Sequence, residues 1–353
     1  MKLQIILPLL LLLSGCMKGK KVDLIIHNAV IHTANDMNDV EEAMAIKDGK
    51  IVEVGPERQI LNKYRYDESI DMMQSSIYPP FTDGDFPLFN YLDSNKTNIH
   101  EQLSDIENEL LQQGIDKIRI LNVSNKQLKL ITKQIQQHPT IMKYFIFLKD
   151  EEENFAYVKK KKNKNKHLYI QGISINNLNE VENTIIRAKA YKLQIQVNES
   201  DYQSIEKKIK KQLVDYSSDH RWVVNSSSSE DDARLTEILQ QNLFIICSEK
   251  TKSTILKENQ LYSFGRENGL NHTIFSSLNR FQMSNKLTND NVLKSITNWS
   301  AYFTFSEKNE GTLEKNKNAN FVSFPREIDF SSDNKDLYIS QLFHKGKEVY
   351  STE

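Results

Sequence analysis

Cysteine is almost absent: 353 residues hold only Cys16 and Cys247. Cys16 stands directly behind the N-terminal apolar run, so no pair remains for the folded body and a disulfide framework is excluded. Cys247 closes the apolar run Leu243 to Cys247 and reads as a small buried apolar residue rather than a nucleophile. Charge of one sign is not in excess either, since 46 basic and 47 acidic residues give a formal net charge of -1. That balance excludes charge-driven disorder and a general affinity for nucleic acid. The 8 histidines are scattered, with no H-x-H, H-E-x-x-H or paired-cysteine spacing, and there is no G-x-S-x-G elbow or phosphate-binding glycine loop. No internal repeat is visible. With 39% hydrophobic residues the chain can nevertheless bury a core.

What is present begins with an export signal. Met1-Lys2 is a basic start, and Leu3 to Leu13 is an apolar run of about half the roughly 20 residues a membrane-spanning helix needs. Leu13-Ser14-Gly15-Cys16 puts small residues before a thiol and resembles the lipobox of bacterial lipoproteins. The blander alternative is an ordinary secretory site beside a chance cysteine. The expectation is that residues 1–15 are removed, Cys16 carries lipid, and residues 16–21 form a tether to the cell envelope. Met17 follows rather than Asp, an outer-membrane address facing the periplasm or the surface. The membrane is thus the expected partner, and the identity of any small-molecule or protein partner is not readable.

Residues 22–75 read as strands: Val22 to Ala29, Val30 to Ala34, Ala43 to Lys47, the Asp48-Gly49 turn and Lys50 to Val54. From about Pro79, apolar runs alternate with amphipathic stretches, which predicts a succession of βα units. The strand candidates are Ile118 to Val123, Met142 to Leu148, Tyr169 to Ile175, Leu193 to Val197, Trp222 to Val224, Leu243 to Cys247 and Thr273 to Phe275. Helices are expected at His100 to Gln113, Lys126 to Gln137, Leu178 to Tyr191, Tyr202 to Tyr216 and Glu230 to Gln241. The count suits an α/β fold with a TIM-like (β/α)8 barrel, shortened or distorted, over residues 76–310. Strand-like text returns in residues 311–353, and with residues 22–75 it would complete one sheet in a small β-sandwich.

Both ends carry a family resemblance. The opening Asp23-Leu-Ile-Ile-His-Asn-Ala-Val-Ile-His-Thr-Ala and Glu42-Ala-Met-Ala-Ile-Lys-Asp-Gly-Lys-Ile-Val-Glu-Val-Gly55 resemble the start of metal-dependent amidohydrolases, especially the amidohydrolase 3 branch. Gly311-Thr-Leu-Glu-Lys-Asn-Lys-Asn-Ala-Asn-Phe-Val322 and His344-Lys-Gly-Lys-Glu-Val-Tyr350 resemble the family's terminal segment. The resemblance implies one or two metals, zinc or another divalent ion, at the strand ends, held by imidazoles and carboxylates that activate a water. In Pro79-Pro-Phe-Thr-Asp-Gly-Asp-Phe-Pro87 the family's Asp is kept as Asp83, but its two histidines fall on Asp85 and Pro87. The third falls on Asn198, or on Val197 with another gap, and the fourth on Asn225 or Val224. Phe275-Ser-Ser-Leu278 puts Leu278 where the catalytic aspartate belongs, and Gly172-Ile-Ser174 lacks the family's lysine. Asp83, Asp85, Asn198, Asn225 and Leu278 are therefore expected to line a vestigial pocket, with no catalytic residue, no metal ligand and no cofactor. Asp83 and Asp85 alone are too few for a dedicated hard-cation site.

The leading expectation is a membrane-anchored pseudoenzyme with a binding or structural role. The alternatives are a hydrolase of amide or related C–N bonds and a partner subunit of an envelope complex. Bland readings cover the rest: Lys159 to Lys166 is a solvated loop, Ser226 to Ser229 leads into a helix cap, His220 precedes a strand, and Trp299 to Phe305 belongs to a late helix and strand of the core.

Overall fold

The computed structural model describes residues 19–93, 98–160, 165–214, 218–226, 232–257, 261–266, 269–332 and 334–352. The export signal, Cys16, residues 16–18 of the tether, part of the Lys159 to Lys166 stretch and most of the Ser226 to Ser229 stretch lie outside the described residues.

Eight strands in chain order, each parallel to the next, make a TIM-like (β/α)8 barrel. They are Phe81–Asp83, Ile115–Val123, Lys143–Lys149, Leu168–Ser174, Gln194–Asn198, Val223–Ser226, Phe244–Cys247 and Tyr262–Phe264. The seam between the first and the eighth closes where Gly84 N–H donates to the Phe264 carbonyl at 2.8 Å. Glycine is required on both sides of that seam. A Cβ on Gly84 would lie 2.7 Å from Phe264 O, and one on Gly265 would lie 2.3 Å from Asp85 N. The helices form from apolar stripes with local caps. In Asn125–Gln137, Ser124 and Gln127 make a capping box while Leu128, Ile131 and Ile135 face the core.

Thr273 to Phe275, expected as a barrel strand, instead opens the helix Ile274–Asn285, with the Thr273 hydroxyl accepting the Ser276 N–H as its cap. The eighth strand is Tyr262–Phe264, and only a single 3-10 turn, Ile255–Lys257, lies between it and the seventh among the described residues. Likewise Trp299 to Phe305 holds no strand: Asn298–Phe303 is a helix.

The terminal segments make two sheets, and as expected one of them joins strands from both ends of the chain. The first runs Lys50–Gly55, Ala43–Lys47, Lys20–His27, Tyr64–Asp71. The second runs Lys347–Ser351, Gln341–His344, Phe321–Phe324, Ser76–Tyr78, Val30–His32, Val40–Glu41, so the C-terminal strands enter beside Ser76–Tyr78. Leu24, Ile26 and Met44 of the first sheet share a buried cluster with Ile31, Ile77 and Phe321 of the second. That shared core makes the pair a sandwich.

The amino end of the barrel is plugged. The Phe303 carbonyl accepts from Gln171 and from Gln194, each at 3.0 Å, and its ring packs with Phe147, Val223 and Ile246 inside the barrel. Gln194 begins the fifth strand, which marks this end as the floor.

Candidate functional site

At the opposite end, the carboxyl ends of the strands surround a cavity of about 590 Å³. Asp85, Pro87, Asn198 and Asn225 all line it, so the structure brings together four positions that lie far apart in sequence. Asn198 ends the fifth strand and stands at the N-cap of the helix Glu199–Leu213, yet its side chain makes no cap bond. Its carbonyl oxygen accepts from Gln196 Nε2 at 3.1 Å instead. Asn225, on the sixth strand, donates Nδ2–H to Asp85 Oδ2 at 2.7 Å. Val197 and Val224 pack in the main core, so the asparagines and not the valines occupy the mouth. Pro87 caps the short turn Leu88–Asn90 and contributes ring surface to the cavity.

Asp83 sits at the end of the first strand with its side chain fully buried. Its Oδ1 accepts the Arg266 backbone N–H at 3.0 Å and the Asp85 N–H at 3.3 Å, while Oδ2 accepts Arg266 Nε–H at 2.7 Å. The same guanidinium donates Nη1–H to Gln113 Oε1 at 3.2 Å and to the His272 carbonyl at 3.1 Å. Both carboxylate oxygens of Asp83 are thus committed to a buried ion pair. Arg266 has little signal in the sequence because the strand it follows, Tyr262–Phe264, is only three residues long. With Thr273 to Phe275 opening a helix rather than a strand, Leu278 is corrected: it lies on the helix Ile274–Asn285, fully buried in the core, and does not belong to the mouth. Ser174, at the lysine position, is buried and accepts the Asn122 N–H at 3.2 Å.

The remaining polar lining comprises Asn122, Gln127 and Lys149 with Ser200 and Asn90. Lys149 ends the third strand and has no ion pair among the described residues. Deeper, Arg119 on the second strand is 0% exposed, and none of its three guanidinium nitrogens has a hydrogen-bond partner among the described residues. Its guanidinium carbon lies 5.6 Å from the Phe147 ring and 5.7 Å from the Phe303 ring. Burial pushes its pKa down to about 10, against the field of Asp85, which raises it. Cys247 is fully buried, and burial raises its thiol well above the usual range, which leaves it inert. His220 sits before the sixth strand at the floor, its Nδ1 accepting the Trp222 N–H at 3.1 Å, and takes no part in the mouth.

No protein-family model matches the sequence, and no curated protein matches it. Solved structures do match. An adenosine deaminase from Xanthomonas campestris with bound zinc is 12% identical, with 94% of this chain and 93% of that one covered and a TM-score of 0.70. An uncharacterized metal-dependent hydrolase from Pyrococcus furiosus is 12% identical over 86% of this chain and 99% of that one, TM-score 0.68. Atrazine chlorohydrolase from Arthrobacter aurescens, complexed with zinc, is 12% identical over 93% and 95%, TM-score 0.68. At this identity the likeness establishes the fold, and function has to be argued from the site.

The expectation that the chain takes no cofactor is corrected by these neighbours: two carry zinc and the third is described as metal-dependent, which points to a metal cofactor for the fold. The donors present fit zinc poorly. Among the described residues no group of three or more His, Cys, Asp or Glu converges. What the mouth offers a cation is oxygen, from Asp85, Asn198 and Asn225, which is hard in kind but holds a single carboxylate and none of the thiols or imidazoles that transition metals seek.

Proposed function

We propose that this chain is a lipid-anchored envelope protein whose barrel mouth binds a small polar molecule, a binding pseudoenzyme on the scaffold of C–N hydrolases. The division into a sandwich of residues 22–75 with 311–353 and a barrel of residues 76–310 is part of this reading, with Ser76–Tyr78 belonging to the sandwich sheet. Its supporting observation is the buried Asp83–Arg266 pair. A fully buried carboxylate whose two oxygens accept three N–H groups, one of them from the guanidinium it pairs with, is turned to Arg266 rather than to water in the mouth, so it is poorly placed to serve as general base where it stands. The amides around it remain able to donate and accept hydrogen bonds to a ligand.

The test is chemical-shift mapping on the full chain in detergent with a panel of neutral amides and polyols. Shifts should cluster at Asn122, Asn198 and Asn225. Shifts confined to the terminal sandwich would sink the proposal. A second reading, hydrolysis of C–N bonds with a metal cofactor, is favoured by the zinc-bound deaminase among the neighbours. In it, Asp85, Asn198 and Asn225 would supply oxygen donors and the metal would supply the acidity that water needs. Turnover of N-acyl or cyclic amides that a chelator abolishes would decide for it. The anchor has its own check: Cys16→Ala should lose incorporated fatty acid and leave the membrane fraction, and unchanged labelling would contradict it.

A further inference from the structure

We infer that the molecule taken by the mouth is a small organic acid, its carboxylate held at Lys149 with Arg119 supplying charge from beneath. This rests on the reading that the mouth binds a small polar molecule and adds the chemical class.

Among the cavity's lining residues the ionisable ones are Asp85 and Lys149, and Arg119 stands two residues before the lining Leu121 on the second strand, which pairs with the strand of Lys149. The link to the mouth is direct: Leu121, the next inward position after Arg119 on the second strand, lines the cavity, and the Phe86 N–H beside Asp85 donates to the Arg119 carbonyl at 2.8 Å. Asp83 and Arg266 cancel one another at 2.7 Å. Two cations therefore face one carboxylate, and Asp85 already spends Oδ2 on Asn225. The surplus is a single positive charge, which suits a singly charged anion.

Arg119 carries the second of these charges. An arginine is rarely buried completely unless paired, because taking its charge out of water is costly. Here it is fully buried, two aromatic rings lie 5.6 Å and 5.7 Å from its guanidinium carbon, and Nε, Nη1 and Nη2 are all unpartnered among the described residues. A charge kept at such a cost with no hydrogen-bond partner among the described residues, and balanced only by the field of Asp85 that Lys149 also shares, is explained by a field that acts on something entering the mouth. In that low-dielectric layer its attraction for a carboxylate is not screened as it is in water. The asparagines then supply donors and acceptors for the rest of the molecule, as an amide or hydroxyl group would require.

The experiment is calorimetric titration of the full chain in detergent with N-acetylglycine and with its uncharged amide, N-acetylglycinamide. The expected result is binding of the acid at least ~10-fold tighter than the amide, with Lys149→Met or Arg119→Met reducing that ratio to roughly 1–3. Without ligand, Arg119→Met should raise the unfolding temperature by several degrees, since it removes an unpaired buried charge while keeping an apolar chain. Equal affinity for both probes, or a ratio that survives Lys149→Met, overturns the inference. So does an Arg119→Met protein that unfolds at a lower temperature, because the charge would then be structural. If both probes bind equally and Asn225→Leu weakens both, the mouth still binds polar molecules and only the acid is wrong. If neither probe binds, the acid is likewise ruled out, and the mapping with neutral compounds decides the broader reading.

Discussion

At the amino ends of the barrel strands, Lys117, Asp116, Lys143 and Glu310 are packed together, and each has an opposite charge within ion-pair range. Arg221, close by, spans Asp219 and Glu307 and also donates to the Tyr302 carbonyl. At the carboxyl ends, by contrast, Lys149 has no ion pair among the described residues, nor has Arg119 deeper in the barrel, and amides outnumber charges around the cavity. The floor satisfies its charges internally and locks the helix Asn298–Phe303 and the sandwich segment around Asn318 and Asn320 to the barrel. The mouth leaves hydrogen-bonding capacity and positive charge for something from outside. In a (β/α)8 barrel that contrast separates the end that holds the fold from the end that meets ligands.

The largest effect should come from breaking the floor. Glu310→Ala strands Lys143 and removes the hydrogen bonds from Asn318 and Asn320, so chemical denaturation should show a loss of about 3–5 kcal/mol. A loss near zero would erase the contrast. Acid should act through the same residue. Burial by itself would raise the Glu310 pKa, but Lys117 and Lys143 outweigh it and hold the folded value at about 2. A depressed folded pKa stabilises above the unfolded value of about 4.3, and the contribution, on the order of 3 kcal/mol, fades as pH falls from there toward 2. The stability gap between wild type and Glu310→Gln should therefore be flat from pH 5 to 7, then narrow in acid, when followed by denaturant titration at each pH. At the mouth the effects should be smaller. Asn225→Ala removes one hydrogen bond to a partly buried carboxylate and should cost roughly 1–3 kcal/mol. Lys149→Met, with no internal partner among the described residues to lose, should change stability by less than about 0.5 kcal/mol.

The residues themselves explain what could be read from sequence. Lys143–Lys149 and Phe244–Cys247 stand out because a strand buried on both faces reads as a continuous apolar run. Thr273 to Phe275 misled because so short an apolar run fits a buried helix equally well, and the cap at Thr273 outweighs its strand-like composition. The true eighth strand has three residues and a serine in its middle, too little for a periodicity. Placing it wrongly carried Leu278 into the mouth and hid Arg266. Of the site, Asp85, Asn198 and Asn225 were legible through family resemblance, since they stand at strand ends in sequence order. The Asp83–Arg266 pair was not, because it spans 183 residues and depends on closure of the barrel. Arg119 did leave a signal: Lys117 and Arg119 alternate with isoleucines inside a run otherwise fit for burial, which puts charge on the inward face.

The contrast between the two ends reduces to one paired measurement on two lysines of the same strand, Lys143 at its start and Lys149 at its end. Lys143→Met and Lys149→Met are each assayed for unfolding temperature and for affinity toward N-acetylglycine. The account predicts that Lys143→Met lowers the unfolding temperature by several degrees and leaves affinity unchanged, whereas Lys149→Met leaves the temperature unchanged and weakens binding by roughly 10-fold. The reverse pattern, or loss of affinity in both with no change in stability, would contradict it.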